Sequence, residues 1–464
     1  MRPETYFGKE RDELRKVVKS KIDYARKENV EFVKYQFADM QGQTKEVTLT
    51  LDAINNIGET STDGSSIYGK IIPPTESDMM LIPDFETFQI IPWMPKTSRV
   101  ICSVFYPRES DGKSMKPFEG CGRNILSKVE RSIQPILRKA FPKFEISKFH
   151  AHFSPEIEFI VVPLEYDYLN IHKDTKLRNN HYFIPPKHNV DLFLQEVTQC
   201  LKAMGLKREK FHTEVATYQY EIGIGYGNVL SIADATMTAR YIIESLAFKH
   251  GLRASFVPKF FSKVNGSGMH VHQSWAITVK GKEINVFYDA KRENGMSEIF
   301  NRYAAGQLKY AKEITSFINS GPMSFKRLVP DAEAPTKISF DWNNRTALLR
   351  GHSPRSAKNI RIEYRAPDSK GNPYLAFAAM LSAGIAGNEE KLVLPSVKKK
   401  NYYHDEKTEQ LPATFGEAIE KTRGSAMLKK YMGKEIVKMY CDLGMHEWRD
   451  YCQQISDVDV ERYF

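Results

Sequence analysis

The chain has 464 residues, with 67 Lys and Arg against 57 Asp and Glu, a formal charge of +10. Hydrophobic residues make up 41% and charged residues 27%, a globular composition that excludes wholesale disorder and is long enough for a substantial core. The longest apolar run, Tyr374 to Ala386, is shorter than the ~20 residues that span a bilayer, and the opening MRPETYFGKERDELRK has no apolar h-region. Five scattered cysteines without a C-x-x-C pair predict reduced thiols in a cytoplasmic protein.

In chain order, Lys9 to Lys27 reads as a basic helix. VEFVKYQFADMQGQTKEVTLT follows as a hairpin turning at Gly42. ESDMMLIPDFETFQIIPW reads as strands broken by prolines. Tyr106 to Gly122, rich in Pro, Gly and charge, marks a domain boundary near residue 115, dividing the chain into 1–115 and 116–464. EIEFIVV is a strand, and Leu230 to His250 a helix stopped by Gly251. Asn372-Pro373 caps a buried helix over Tyr374 to Ala386. Lys398 to Lys400 reads as a solvated face, because no aromatic residues interleave it as nucleic-acid binding requires. One amphipathic helix is expected around Ala426 to Leu443.

The chemistry concentrates in a few segments. In SPEIEF, Glu156 and Glu158 are two apart, so both carboxylates share one strand face. At ~7 Å they repel by about 2 kcal/mol at an effective dielectric of 20, which a solvated face tolerates. The pair has company, however. HTEVATYQYEIG supplies Glu214 and Glu221, NGSGMHVHQS supplies His270 and His272, and RIEYRAPD places Glu363 between Arg361 and Arg365. Strands presenting carboxylates and an occasional imidazole suit Mg²⁺ or Mn²⁺ rather than zinc. Arg327 and Glu333 in FKRLVPDAEAP, and Arg345 and Arg350 in NNRTALLRGH, add guanidinium groups that clamp phosphate or carboxylate. Asp63-Gly64-Ser65-Ser66 reads alone as a turn. A P-loop is absent, GIGYGN lacks dinucleotide spacing and an evident phosphate-binding helix, and neither G-x-S-x-G nor H-E-x-x-H occurs.

Taken in order, DGSS, ESDM, SPEIEF, HTEV…QYE, NGSGMHVHQS, KRLVP–EAP, NNR…R and RIEYRAPD–NPYLAFAAML resemble the glutamine synthetase family over nearly the whole chain. The resemblance implies an α+β protein: an amino-terminal β-grasp domain and a larger catalytic domain with a curved, mainly antiparallel sheet flanked by helices. It implies ATP as co-substrate, two to three Mg²⁺ or Mn²⁺ ions per site, and glutamate with ammonium or a small amine as substrates. It also implies a homo-oligomer of two stacked hexameric rings, with active sites between neighbouring subunits, and neither nucleic acid nor membrane as partner. Glu158, Glu214 and Glu221 would hold one metal, and Glu156, His270 and Glu363 another. Arg327, Arg365, Asn265 and Gly266 would bind glutamate. His272, Ser274, Arg345, Arg350 and Arg361 would contact the nucleotide or the transferred phosphoryl group. Glu333 would ride on a closing flap, and Asp63 of a neighbouring subunit would bind and deprotonate ammonium.

Some features depart from the family pattern. Asp331 stands where KRLVP is usually followed by Gly, and Ala216-Thr217-Tyr218 replaces a glycine-rich turn before Q-x-E. The DGSS–ESD stretch is longer by one residue. KLVLPSVKKKNYY replaces the tyrosine-bearing segment that some members adenylylate, so that control is not expected. Three functions stay open at this level: a glutamate–ammonia ligase, a γ-glutamyl ligase for methylamine, ethanolamine or a polyamine, and a non-catalytic paralogue. The retained carboxylates and arginines argue against the last.

Overall fold

The computed structural model describes residues 10–54, 58–107, 115–167, 177–292, 295–352 and 359–463. The middle of the expected boundary segment, 108–114, lies outside them. Helix α1 (Glu10–Lys27) precedes a five-stranded sheet of β1 (Phe32–Ala38), β2 (Thr44–Thr50), β3 (Thr60–Asp63), β4 (Asp78–Ile91) and β5 (Met94–Phe105), with the short helix α2 (Gly64–Tyr68) after β3. Its order is β2-β1-β5-β4-β3, and only β1 and β5 run parallel. The hairpin turn at Gly42 has φ +84°, a conformation that suits glycine. A Cβ there would lie 2.7 Å from the Asn372 Cα, so the turn also rests directly on the catalytic half of the molecule.

Proline does not break β4. The strand runs through Pro83, which pairs with Cys102 of β5. Its other neighbour, β3, reaches only as far as Leu81, so Pro83 sits at a local edge where a missing N–H is tolerated. The irregularity falls later, between Asp84 and Gln89, where a bulge sends Phe85 and Phe88 into the core.

Helices α3 (Gly122–Arg131) and α4 (Ile133–Ala140) lead into the large sheet. Its strands are β6 (Ile146–Pro163), β7 (Arg208–Thr213), β8 (Gln219–Ile224), β9 (Gly227–Asn228), β10 (Leu252–Ser255), β11 (Met269–Val279), β12 (Lys282–Asn285), β13 (Phe340–Trp342), β14 (Leu349–Gly351) and β15 (Ile362–Tyr364). The main path is β13-β14-β15-β11-β6-β8-β7, antiparallel except for β13 with β14. Around it pack α5 (His188–Ala203), α6 (Val229–Lys249), α7 (Glu298–Lys309), α8 (Ala311–Ile318), α9 (Pro322–Arg327), α10 (Pro373–Glu389) and α11 (Phe415–Gly424). The α+β organisation is as the sequence implies.

Helix α6 begins immediately after GIGYGN, where the sequence predicts a helix over Leu230 to His250. The Asn228 side chain caps that helix by accepting from the Leu230 and Ser231 amides. The helix expected over Ala426 to Leu443 is two: α12 (Ala426–Tyr431) and α13 (Lys434–Gln453), followed by α14 (Asp457–Tyr463). Gly433, at φ +122°, separates the first two, a backbone state outside the reach of a continuous helix. No helix among the described residues is long and apolar enough to cross a membrane.

The core of the larger half is α10, buried from Pro373 to Asn388 and capped by Asn372, whose side chain accepts from the Leu375 amide. Gly384, Gly387 and Gly306 let α10 and α7 approach closely. A Cβ on Gly387 would lie 2.1 Å from the Arg302 carbonyl oxygen. Gly387→Ala is therefore expected to cost about 1–3 kcal/mol through forced separation of the two helices, read as a lowered thermal midpoint. An unchanged midpoint would show that the pair relaxes freely.

Candidate active site

Strand β6 organises the site. Its period of two puts Glu156 and Glu158 on one face, and the neighbouring strands align their own polar residues with them. Glu156 pairs with His270 of β11, Glu158 with Glu221 of β8, and His272 with Glu363 of β15. Glu214 follows the end of β7. All of these except His272 line a polar cavity of about 210 Å³ that Asn265, Gly266, Arg327, Glu333, Arg345, Arg350 and Arg365 also border.

Crowding shows in the electrostatics. Burial, then the charges of Glu158 and Glu221, push the Glu214 carboxyl up to about 9. Burial likewise raises Glu158. One Glu158 oxygen accepts from Gln219 Nε2 and the Gly268 amide, each at 2.9 Å. Burial opposes ionisation of Glu156 as well. There, however, hydrogen bonds from His270 and His272 prevail and hold it well below the usual carboxylate range.

Three sets of side chains bring ligand atoms within 4.8 Å of one another: Glu156, Glu221 and His270; His212, Glu214 and Glu221; and His272, His352 and Glu363. Closely packed, buried carboxylates of this kind fit divalent cations, which would relieve the repulsion. His212 and His352 were not anticipated from sequence. His212 Nε2 lies 3.1 Å from Glu221, and His352 Nε2 lies 2.9 Å from Glu363. His212 is two residues before Glu214 in FHTEV, the same spacing that singled out Glu156 and Glu158, so that signal was available. His352 also stands two residues after Arg350, but just past the end of its strand, where that spacing no longer fixes direction.

The basic residues form the opposing wall. Arg350 Nη1 lies 3.0 Å from Glu363, and Arg365 Nη1 also donates to it. Arg361 Nε donates to His272 Nδ1 at 3.2 Å. Arg327 is buried, donating to the Ala366 carbonyl at 2.7 Å, and its guanidinium lies over Gly268, where a Cβ would come within 2.2 Å of it. Asn265 donates to Glu333 Oε2 at 3.2 Å. Tyr182, also unanticipated, borders the cavity near Arg345.

Four expected residues, His272, Arg361, Ser274 and Asp63, lie outside the cavity wall. Ser274 lies farther along β11, opposite His152 of β6. Asp63 is exposed at the start of α2 and is absent from the cavity wall. Its carboxylate accepts from the amides and hydroxyls of Ser65 and Ser66. The hydroxyls of Ser66 and Ser65 do most to lower its pKa, to about 2. Two departures from the family pattern carry strain, Tyr218 at φ +67° and Asp331 at φ +62°, as does the flap residue Glu333 at +55°. At Tyr218 and Asp331 a side chain stands where glycine would be relaxed.

A small five-stranded sheet beside a larger sheet lined with carboxylates, imidazoles and arginines defines the class of enzyme site that holds divalent cations against anionic substrates. The comparisons agree. Residues 29–107 match the glutamine synthetase β-grasp domain, and residues 130–463 match the glutamine synthetase catalytic domain. Glutamine synthetase of Methanocaldococcus jannaschii is 34% identical over 96% of this chain and 98% of its own length. That of Thermotoga maritima is 34% identical over 94% and 97%. Among solved structures, apo GmaS superimposes with a TM-score of 0.80 at 25% identity, covering 95% of this chain and 98% of that one. The chain belongs to the glutamine synthetase family and is an ATP-dependent glutamate–ammonia ligase.

Proposed function

We propose that the cavity on β6 carries out this ligation through a γ-glutamyl phosphate, with the roles that follow. The observation behind this reading is the convergence of six carboxylate and imidazole side chains from four strands and one loop against a wall of arginines. Glu158, Glu214 and Glu221 would hold one Mg²⁺ or Mn²⁺, and Glu156, His270 and Glu363 another, with a third possible beside His212 or His352. When bound, these ions neutralise charge on the transferring phosphoryl group.

Arg327 and Arg365 hold the glutamate carboxylates, while Asn265 and Gly266 orient the amino acid. Arg345, Arg350 and Arg361, with His272 and, farther along β11 where the nucleotide would extend beyond the cavity, Ser274, hold the nucleotide and its phosphates. A γ-carboxylate oxygen of glutamate bonds to the terminal phosphorus of ATP, and ADP leaves. The amine nitrogen then bonds to the activated carbon, and phosphate leaves as the amide forms. Glu333, in contact with Asn265, closes the segment that keeps water from the acyl phosphate. Glu333→Ala should lower kcat by about 10²-fold while ATP affinity holds, measured by turnover and by nucleotide titration. Lost ATP affinity would contradict the flap role.

Asp63 reaches the amine from a neighbouring subunit, which agrees with its exposure on its own chain. A carboxyl held near pKa about 2 binds ammonium well and is a weak base. The proton therefore moves only as nitrogen commits to carbon. Asp63→Ala should raise the KM for ammonium at least ~10-fold and leave the KM for ATP within about twofold. Equal effects on both would refute the assignment. We propose a cytoplasmic assembly of two stacked hexameric rings and a domain boundary near residue 115. Sedimentation at a mass of one chain would contradict the assembly.

The rim favours one further test. Tyr218 and Asp331 reshape the entrance, so ATP-dependent phosphate release should be compared across ammonium, methylamine, ethanolamine and putrescine. Release with ammonium supports glutamine as the product. Release only with an organic amine would transfer the same chemistry to a γ-glutamyl amide.

A further inference from the structure

Gln219 opens β8 two residues before Glu221, so its side chain shares the strand face that lines the cavity. It is 2% exposed, and three of the four hydrogen-bonding positions on its amide are used. Nε2 donates one proton to Glu158 Oε2 at 2.9 Å and the other to the Gly266 carbonyl oxygen at 3.0 Å, with Ser267 Oγ beside it at 3.4 Å. Oε1 accepts from the Ala216 amide at 3.2 Å. These partners fix which end of the amide is nitrogen. Turned over, its oxygen would face a carboxylate and a carbonyl, and its nitrogen an N–H. The Gln219 backbone closes the adjoining turn as well: its amide donates to the Ala216 carbonyl at 3.1 Å, and its carbonyl accepts from the Glu214 amide at 2.8 Å.

One amide group therefore touches both a carboxylate placed around a cation and the segment placed against glutamate. Glu158 Oε2 is doubly occupied, by Gln219 and by the Gly268 amide, so Oε1 is the oxygen left for a cation. Gly266 has little room to take another position. A Cβ there would lie 2.3 Å from the Pro258 carbonyl oxygen and 2.8 Å from Arg327 Cγ. Its carbonyl oxygen has two lone pairs. Gln219 takes one, which sets the plane of the peptide and leaves the second for the ammonium group of glutamate.

We propose that Gln219 is a positioning residue that couples the cation held by Glu158 to the glutamate held by Asn265 and Gly266. This rests on the assignment of the cavity to metal and glutamate. With Oε1 engaged, the Glu158 carboxylate is fixed, and through it the Gln219 amide and the Gly266 carbonyl. The ordering cost is met once, so whichever ligand binds first helps the second, and the two gain by the same factor.

The test measures binding to the full-length chain without ATP, so that no turnover intervenes. Glutamate affinity is read by titration calorimetry, once in EDTA and once in saturating Mg²⁺. The wild type should bind glutamate at least about fivefold more tightly with Mg²⁺. Gln219→Met keeps the length of the side chain and makes none of these hydrogen bonds. In that variant the ratio should fall by at least about threefold, the remainder being direct attraction between Mg²⁺ and the glutamate carboxylates. A role in stability alone would weaken both affinities and leave their ratio as in the wild type, and that result would overturn the proposal. Gln219→Glu serves as the second variant, because it keeps the shape but has at most one proton to donate. Its ratio should fall as well, and a wild-type ratio would count against coupling through the amide. Mn²⁺ affinity, followed by electron paramagnetic resonance, should change on adding glutamate by the same factor in the wild type and by the smaller factor in the variants. A wild-type protein that binds glutamate equally with and without Mg²⁺ would overturn the coupling and leave the ligase assignment standing. One that binds no glutamate under either condition would overturn the assignment of the cavity, and this inference with it.

Discussion

Glu363→Ala is expected to lower amide synthesis by at least ~10²–10³-fold and to destabilise the protein by about 3–5 kcal/mol. Glu363 is 1% exposed and stands where four groups converge. It takes Arg350 on one oxygen and Arg365 on the other, holds His352 at 2.9 Å, and lies 3.8 Å from His270. Burial alone would raise its pKa. Its hydrogen bond to His352 and the charge of Arg365 outweigh burial and hold it well below the usual range. Removing the carboxylate leaves two guanidinium groups facing each other across a buried gap, and takes one ligand from the site proposed for a metal. Glu363→Gln separates these effects. It keeps the shape and one acceptor, so much of the stability should return while activity stays low, because a neutral amide is a poor ligand for Mg²⁺. Turnover and thermal unfolding of both variants decide the matter. Near-normal turnover in Glu363→Ala would show that the carboxylate only balances arginines.

Much of this site was readable because strands make side-chain direction periodic. Glu156 and Glu158, His270 and His272, and the Arg361–Glu363–Arg365 triplet each repeat at two, and the sheet lays those repeats side by side. Ligand types therefore emerged from spacing, and their chain order carried the family resemblance. What escaped depends on the third dimension. His352 reaches Glu363 from just beyond the end of β14, where its spacing of two from Arg350 no longer fixes side-chain direction. The bulge after Asp84 was hidden because Pro83 looked like the interruption, whereas the edge position of β4 makes that proline harmless. Gly433 looked like an ordinary glycine within a helical pattern until its positive φ separated α12 from α13.

Arg123→Ala is expected to cost about 3–5 kcal/mol and to weaken the union of the two halves of the molecule before it affects the cavity. Arg123 on α3 is 6% exposed. Its Nη2 lies 2.9 Å from both Asp84 of β4 and Asp234 of α6, its Nε donates to Asp234 at 2.9 Å, and its Nη1 reaches Ser103 of β5 at 3.4 Å. The Tyr374 hydroxyl, from α10, also donates to Asp234 at 2.6 Å. One guanidinium thus ties two strands of the amino-terminal sheet to three helices of the larger half. Alanine would leave Asp84 and Asp234 buried without that cation. Arg123→Lys should recover part of the loss, since it restores charge but not the planar fork. The pH dependence carries the sharper test. Burial opposes ionisation of Asp84, and the charge of Arg123 is the largest of the effects that nevertheless lower its pKa. A depressed folded pKa contributes stability that is present above the unfolded value near ~3.9 and is lost as pH falls through the folded one. Without Arg123 the largest of those effects is gone and the Asp84 pKa rises, so the ionised carboxylate contributes less stability to the variant above ~3.9. The stability gap between wild type and Arg123→Ala should be widest near neutral pH and should narrow below about pH 4. A gap of constant size from pH 3 to pH 7, measured by denaturant unfolding, would assign the loss to packing and not to the buried charges.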